Sequence, residues 1–162
     1  MNRQLKMYSV CISAIIFMLM FLYITPIYAD THYVSPNGTA SWASSVNINT
    51  PCSASVAMKS AQAGDVVYFR GGTYNVTNKR AYHAALEPSN SGTATNPITF
   101  AAYPNELPKI NITSFANGWE SDYCIGTGNR NYIIWDGFEC TAMNGEYMGG
   151  CMIGGDLGGS QF

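Results

Sequence analysis

Gly64-Asp65-Val66-Val67-Tyr68-Phe69-Arg70-Gly71-Gly72-Thr73-Tyr74 is the stretch on which the fold turns. Residues 66–70 are of strand-forming type and lie between a Gly-Asp turn and a Gly-Gly corner, so the chain enters a buried strand sharply and leaves it sharply. A strand this short needs partners beside it. The next such run is Pro97-Ile98-Thr99-Phe100-Ala101-Ala102-Tyr103, which alternates apolar with small or polar residues at period two. The pattern sends Val67, Phe69, Ile98 and Phe100 into a core; a slip of one residue would instead bury Val66 and Tyr68.

Other strands follow on either side. His32-Tyr33-Val34 reads as a strand closed by the turn Ser35-Pro36-Asn37-Gly38, Pro108-Lys109-Ile110-Asn111-Ile112 as a shorter strand past a corner, and Tyr132-Ile133-Ile134-Trp135 as a strand bent at Asp136-Gly137 into Phe138-Glu139-Cys140. Cys151-Met152-Ile153-Gly154-Gly155 gives the next. With Val67, Ile98, Ile133 and Met152 as corresponding points, the spacings are 31, 35 and 19 residues. That is a loose repeat in which each turn of a parallel solenoid is one unit and insertions emerge at the corners. Between the first two strands, Thr50 as N-cap and Pro51 at the first helical position open a short helix near residues 52–62, with Ala54, Ala57, Met58 and Ala61 at helical spacing and Gly64 as its stop. Such a helix suits the open end of a strand stack, where it hides unpaired backbone. Residues 75–96 read as a long polar loop. No capping element follows the last strand, so the expectation is the N-terminal portion of a longer protein.

The composition agrees. Only 11% of the 162 residues are charged and 16 are Gly, a balance that favours an all-β chain with many turns over a helical one. Residues 1–29 read as a signal peptide: Arg3 and Lys6 form a basic start, residues 10–24 an apolar core too short to span a bilayer, and Ala29 closes a small-residue cleavage region. The expectation is therefore a secreted, extracellular or periplasmic protein with one domain from residue 30 to 162 and no stable membrane span. Losing Arg3 and Lys6 takes the formal charge from −2 to about −4, and no basic stripe invites nucleic acid. Cys11 departs with the leader, leaving Cys52, Cys124, Cys140 and Cys151. Cys140 and Cys151, placed on successive rungs about 4.8 Å apart, are the expected pair if a disulfide forms. No Cys-x-x-Cys or Cys/His cluster suggests zinc.

These residues resemble secreted right-handed parallel β-helix proteins related to pectate and other polysaccharide lyases. The likeness is carried by residues 33–38, by Gly64 to Tyr74, by Ser91-Gly92-Thr93-Ala94-Thr95-Asn96-Pro97-Ile98 leading to Ala102-Tyr103-Pro104, and by Tyr132 to Phe138. It implies a β-helix with a carbohydrate groove along one face of its central rungs. It further implies an acidic, uronate-containing polysaccharide partner and cleavage by β-elimination, with a Lys or Arg as base and Ca²⁺ held by clustered Asp residues to mask the uronate charge. The chain lacks that cluster. Asp136, Glu139, Glu146 and Asp156 are dispersed, and Lys79-Arg80 and His83 stand in a loop without a neighbouring carboxylate cluster. The groove-lining acids and base are thus expected beyond Phe162, and the catalytic, substrate-binding and metal residues stay unassigned, with any Ca²⁺ bound only by a full-length protein and the fragment alone inactive.

Of the tryptophans, Trp135 reads as packing and Trp119 as loop-borne; Trp42 is the third aromatic of that size able to stack on a sugar. The Gly-Gly pairs at 71–72, 149–150, 154–155 and 158–159 lack any phosphate-loop context and read as tight corners. Asn37, Asn75 and Asn111 each open an Asn-x-Thr triplet. Three functions stay open at this point: a lyase, a β-helix glycoside hydrolase with paired carboxylates, and a non-catalytic carbohydrate-binding or adhesion scaffold.

Overall fold

The computed structural model describes residues 29–77, 84–114, 123–142 and 153–154. Residues 1–28, Lys79, Arg80, His83, Trp119, Glu146, Cys151, Met152 and Asp156 lie outside them. Ten strands and one helix appear: β1 (Thr31–Val34), α1 (Ala54–Ser60), β2 (Val66–Phe69), β3 (Gly72–Thr77), β4 (Ala84–Leu86), β5 (Ile98–Ala102), β6 (Pro108–Ser114), β7 (Tyr123–Gly126), β8 (Ile133–Asp136), β9 (Glu139–Ala142) and β10 (Ile153–Gly154). Every strand pairing is parallel, and three sheets form, ordered β1-β2-β5-β8, β3-β6-β9 and β4-β7-β10. Three strands in succession, one from each sheet, make one turn, and the turns stack. This is the parallel β-helix the repeat implies.

Inward-facing residues form rows that cross the strands. Under the first sheet one row runs His32, Val67, Phe100, Trp135. Under the second runs Tyr74, Ile110, Cys140. Val67, Phe69, Ile98 and Phe100 are fully buried, as their alternation predicts, while Val66 and Tyr68 lie on the outside. Phe100 stacks on Trp135 with ring centroids 4.6 Å apart and meets Phe69 edge-on, so the row is held by ring contact as well as by burial. The corners are short. Gly72 and Gly137 turn them with φ of 123° and 78°, which a side chain would strain.

Four features differ from the sequence reading. Val67 pairs with Phe100, not Ile98, because a shift of two residues keeps every side chain on its own face and the alternation is blind to it. Strand β6 runs to Ser114 and is longer than β5. The polar stretch 75–96 contains the end of β3 and all of β4. Finally, Ile153 pairs with Ile125, so β10 lies in the third sheet and completes the turn begun by β8 and β9. Cys140 is disulfide-bonded, Cys52 and Cys124 are free and buried, and the expected partner Cys151 is not among the described residues.

The first end of the stack is closed by the segment between β1 and β2. Cys52 forms a parallel bridge with Val34, donating its N–H to Tyr33 and accepting from Ser35, which keeps residues 50–52 extended. The helix thus starts later than Thr50-Pro51 suggests, with Ser53 as N-cap accepting from the Val56 N–H at 3.3 Å. A Cβ at Gly38 would run into the Cys52 carbonyl, so only glycine lets the turn lie this close. Ala54, Ala57, Met58 and Ala61 are buried, and Ser89 N and Asn90 Nδ2 tie the helix to the chain after β4 at 2.7 and 2.8 Å. Beside it His32 stacks on Trp42, ring centroids 3.5 Å apart, and its Nδ1 donates to Ser45 Oγ, which in turn donates to the Trp42 carbonyl. Burial holds the His32 pKa below its ordinary value, with Asp65 and Asp30 opposing that shift.

Candidate functional site

Each sheet sends alternate residues outward, and these too align into rows. On the first sheet the row is Tyr33, Tyr68, Ala101, Asp136, flanked by Thr31, Val66, Thr99, Ile134. Tyr33 and Tyr68 stack with centroids 6.2 Å apart. Ala101 is too small to continue the stack, and Tyr103, just past the end of β5, swings into the gap, edge-on to Tyr68 at 5.8 Å and 6.1 Å from Tyr33. The three rings are half-buried, and their phenol hydroxyls make no hydrogen bond among the described residues. Asp136 is exposed at the end of the row with no ion pair among the described residues.

At the adjoining corner the Arg70 guanidinium lies 4.9 Å from the Tyr103 ring centre and donates from Nε and Nη2 to Glu106 at 2.9 and 2.7 Å. The Gly71 N–H also donates to Glu106. Hydrogen bonding by Arg70 holds the Glu106 carboxyl below its usual range, and the same bond raises Arg70. The pair is neutral as a unit. Arg70 thus serves the corner and the ring, and it is not a free base.

The outer face of the second sheet is built differently. Asn111 donates to Asn75 at 2.8 Å, Thr141 reaches Asn111 at 3.5 Å, and Lys109 pairs with Glu139 at 3.1 Å. Each of these side chains is bonded to one on a neighbouring strand. A cleft of about 580 Å³ between α1, β3 and β4 is lined by Pro36, Ser53, Lys59, Tyr74, Asn75 and Glu87, among others, and Glu87 there accepts from the Ala84 N–H at 2.8 Å.

Among the described residues no group of three His, Cys, Asp or Glu side chains is placed to hold a metal. Asp136 stands on the first sheet and Glu139, already paired, on the second, so the described residues do not fit a calcium site. Burial pushes the Cys124 thiol up to about 12 and also raises Cys52, which leaves neither a nucleophile near neutral pH. Trp42 and Trp135 are both spent on packing, against His32 and Phe100. Of the Asn-x-Thr triplets, Asn37 sits in an exposed turn while Asn75 and Asn111 bond each other. The tyrosine row escaped the sequence reading. The signal was present as the outward positions of β1 and β2 and the Tyr103-Pro104 exit, but only register brings the three rings together.

What the surface offers is aromatic area, unpaired hydroxyls and one exposed carboxylate along a flat parallel sheet. Rings and hydroxyls in that combination suit a ligand with apolar C–H faces and many hydroxyl groups. Residues 32–157 match the family described as the Pel9A-like, right-handed β-helix region. The chain is 32% identical over 122 residues to the protein named pectate lyase PEL9 of Emericella nidulans, covering 71% of this chain and 28% of the relative's length. No solved structure matches it.

Proposed function

The chain belongs to the Pel9A-like right-handed β-helix family, and from that premise we propose that it is the first part of an exported, polysaccharide-acting protein of the pectate lyase kind. The carrying observation is that the family match runs through all three sheets, with its relative named as a pectate lyase. The chain spans 28% of that relative, so the proposed reaction, β-elimination on an acidic polysaccharide, belongs to the whole protein. In that reaction a base removes the proton beside a uronate carboxylate and the glycosidic oxygen leaves from the next carbon, giving an unsaturated sugar end.

The role of the described residues is to hold the glycan. Tyr33, Tyr68 and Tyr103 supply ring faces and edges, and their hydroxyls and the Asp136 carboxylate accept or donate bonds to sugar hydroxyls. Among the described residues the guanidinium beside these rings, Arg70, is neutralised by Glu106. Binding without turnover is what this surface supports. Among the described residues no helix is long and apolar enough to cross a bilayer.

The test is an assay on polygalacturonate and alginate, read by ultraviolet absorbance of unsaturated ends, with this chain and with the complete gene product that contains it. Turnover by the complete product and none by this chain is expected. Inactivity of the complete product on every uronate tried would overturn the lyase reading in favour of a hydrolase or a binding scaffold, and turnover by this chain alone would show that the chemistry lies in residues assigned here to binding.

A further inference from the structure

Asp65 is a carboxylate only 4% exposed at the closed end of the stack, and its partners are two uncharged amides. Its Oδ2 accepts from the Gln62 N–H at 2.8 Å and its Oδ1 from the Asp30 N–H at 3.1 Å. No ion pair with Asp65 is found among the described residues, and His32 nearby is kept neutral by its own burial. A buried carboxylate held by neutral donors alone is an expensive arrangement. Asp30 is meanwhile pinned from its other side, its carbonyl accepting from the Val66 N–H at 3.0 Å as the parallel ladder of β1 and β2 begins. Among the described residues every hydrogen bond of the closed end is made by Asp30 or later residues, and Ala29 contributes none.

We propose that the Ala29–Asp30 bond is a processing site whose product completes the cap: the new α-ammonium of Asp30 forms an ion pair with the buried Asp65. In the step itself a leader peptidase directs water onto the Ala29 carbonyl. The C–N bond breaks, the carboxylate leaves with Ala29 on the leader, and the amine stays on Asp30 and takes up a proton. The nitrogen that donated as a neutral amide at 3.1 Å then donates as a cation from the same place, and Asp65 gains the counter-charge it lacks. Processing and capping are one event: until the leader is cut, the buried charge stays uncompensated. The inference rests on the export part of the proposed function and not on the polysaccharide, so failure on every glycan leaves it standing.

The experiment is to express the whole chain with its leader in a secreting host and to determine the N-terminus of the product. The product is then unfolded in urea, acetylated at pH of about 6.5, where the released α-amine, with an ordinary pKa of roughly 7.7–8.0, reacts ahead of lysine at roughly 10.4, and refolded. Acetylation removes the charge and leaves the chain otherwise intact. An N-terminus at Asp30 is expected, together with a rise of roughly tenfold or more in the unfolding equilibrium constant on acetylation, the usual scale of a hydrogen bond to a charged group. The partner raises the folded α-amine pKa above its unfolded value, so the advantage of the free amine is full below pH of about 7.7 and fades as pH climbs through the folded value. In Asp65→Asn the acetylation effect should vanish; if that variant does not fold, the pH profile of the acetylated and free wild-type chains decides. A product that begins at Met1 or any residue but Asp30 overturns the proposal, as does a stability that acetylation leaves unchanged.

Discussion

The outer faces of the first and second sheets rest on the same parallel backbone, one corner apart, yet they treat their polar groups in opposite ways. On the second sheet, Asn75, Asn111 and Thr141 bond in series and Lys109 answers Glu139, so the face satisfies itself. On the first sheet, Tyr33, Tyr68 and Tyr103 satisfy their rings against each other and leave three hydroxyls and Asp136 open to solvent. A row whose bonds close internally has little left for a ligand. The fold supplies the register for both rows; only the choice of side chain separates a face that satisfies itself from one proposed to bind.

The largest effect should come from removing what both faces share. Phe100 is fully buried, stacks on Trp135 and touches Phe69, and Phe100→Ala is expected to cost about 3–5 kcal/mol by leaving a cavity at the centre of the inner row. Urea unfolding measures it. A loss below about 1 kcal/mol would mean that the rows do not support each other and that the two faces can be treated as separate.

The contrast itself is sharpened by a crossed pair of substitutions. Tyr68→Ala removes the central ring of the first face and should abolish retardation of the chain in gels containing polygalacturonate or its methyl ester, at a stability cost of roughly 1–3 kcal/mol. Asn111→Ala should leave retardation as it was and cost about 1 kcal/mol through the broken amide row. Equal binding losses from both, or none from either, would erase the distinction between the faces.

Much of this was legible in the chain before any coordinates. Alternation alone told which side of β2 and β5 faces inward, because burial depends only on the parity of the register, and Val67, Phe69, Ile98 and Phe100 all fell where it put them. The true partner of Val67 was not legible, since Ile98 and Phe100 satisfy the same parity. Ala54, Ala57, Met58 and Ala61 announced the helix, but the competing bridge from Cys52 to Val34 moved its start to Ser53, and no local propensity reports a long-range bridge. For the same reason the tyrosine row was invisible. Its members stand 35 residues apart in each step from Tyr33 to Tyr68 to Tyr103, and it exists only once two turns have stacked.

Acid should also separate the two sides. The inner row beneath the first sheet begins at His32, whose pKa burial lowers, whereas the row beneath the second begins at Tyr74, whose hydroxyl donates to the Val34 and Arg70 carbonyls and whose pKa burial raises far from neutrality. Above pH of about 6.5 the imidazole is neutral folded and unfolded, and it adds no pH dependence. Below that value the unfolded chain takes up a proton that the folded chain refuses, so stability falls until the lower, folded pKa is passed. His32→Gln should flatten this part of the stability profile, measured by denaturant midpoints between pH 7.5 and 5; an unchanged slope would place the acid sensitivity elsewhere.

The smallest effect is expected where the second face looks most strongly bonded. Lys109 and Glu139 meet at 3.1 Å across neighbouring strands, but their side chains keep 45% and 37% of their exposure, so water and salt share the interaction. Exposed pairs of this kind contribute about 0.2–1 kcal/mol in double-mutant cycles, less than the packing beneath them. A cycle of Lys109→Ala and Glu139→Ala should therefore return a coupling in that range, shrinking further in 0.5 M salt as the screening length falls. A coupling several times larger that survives salt would mean the second face is rigidly locked rather than merely satisfied. It would also widen the contrast with the tyrosine row, whose hydroxyls have no hydrogen bond among the described residues to break before the proposed ligand binds.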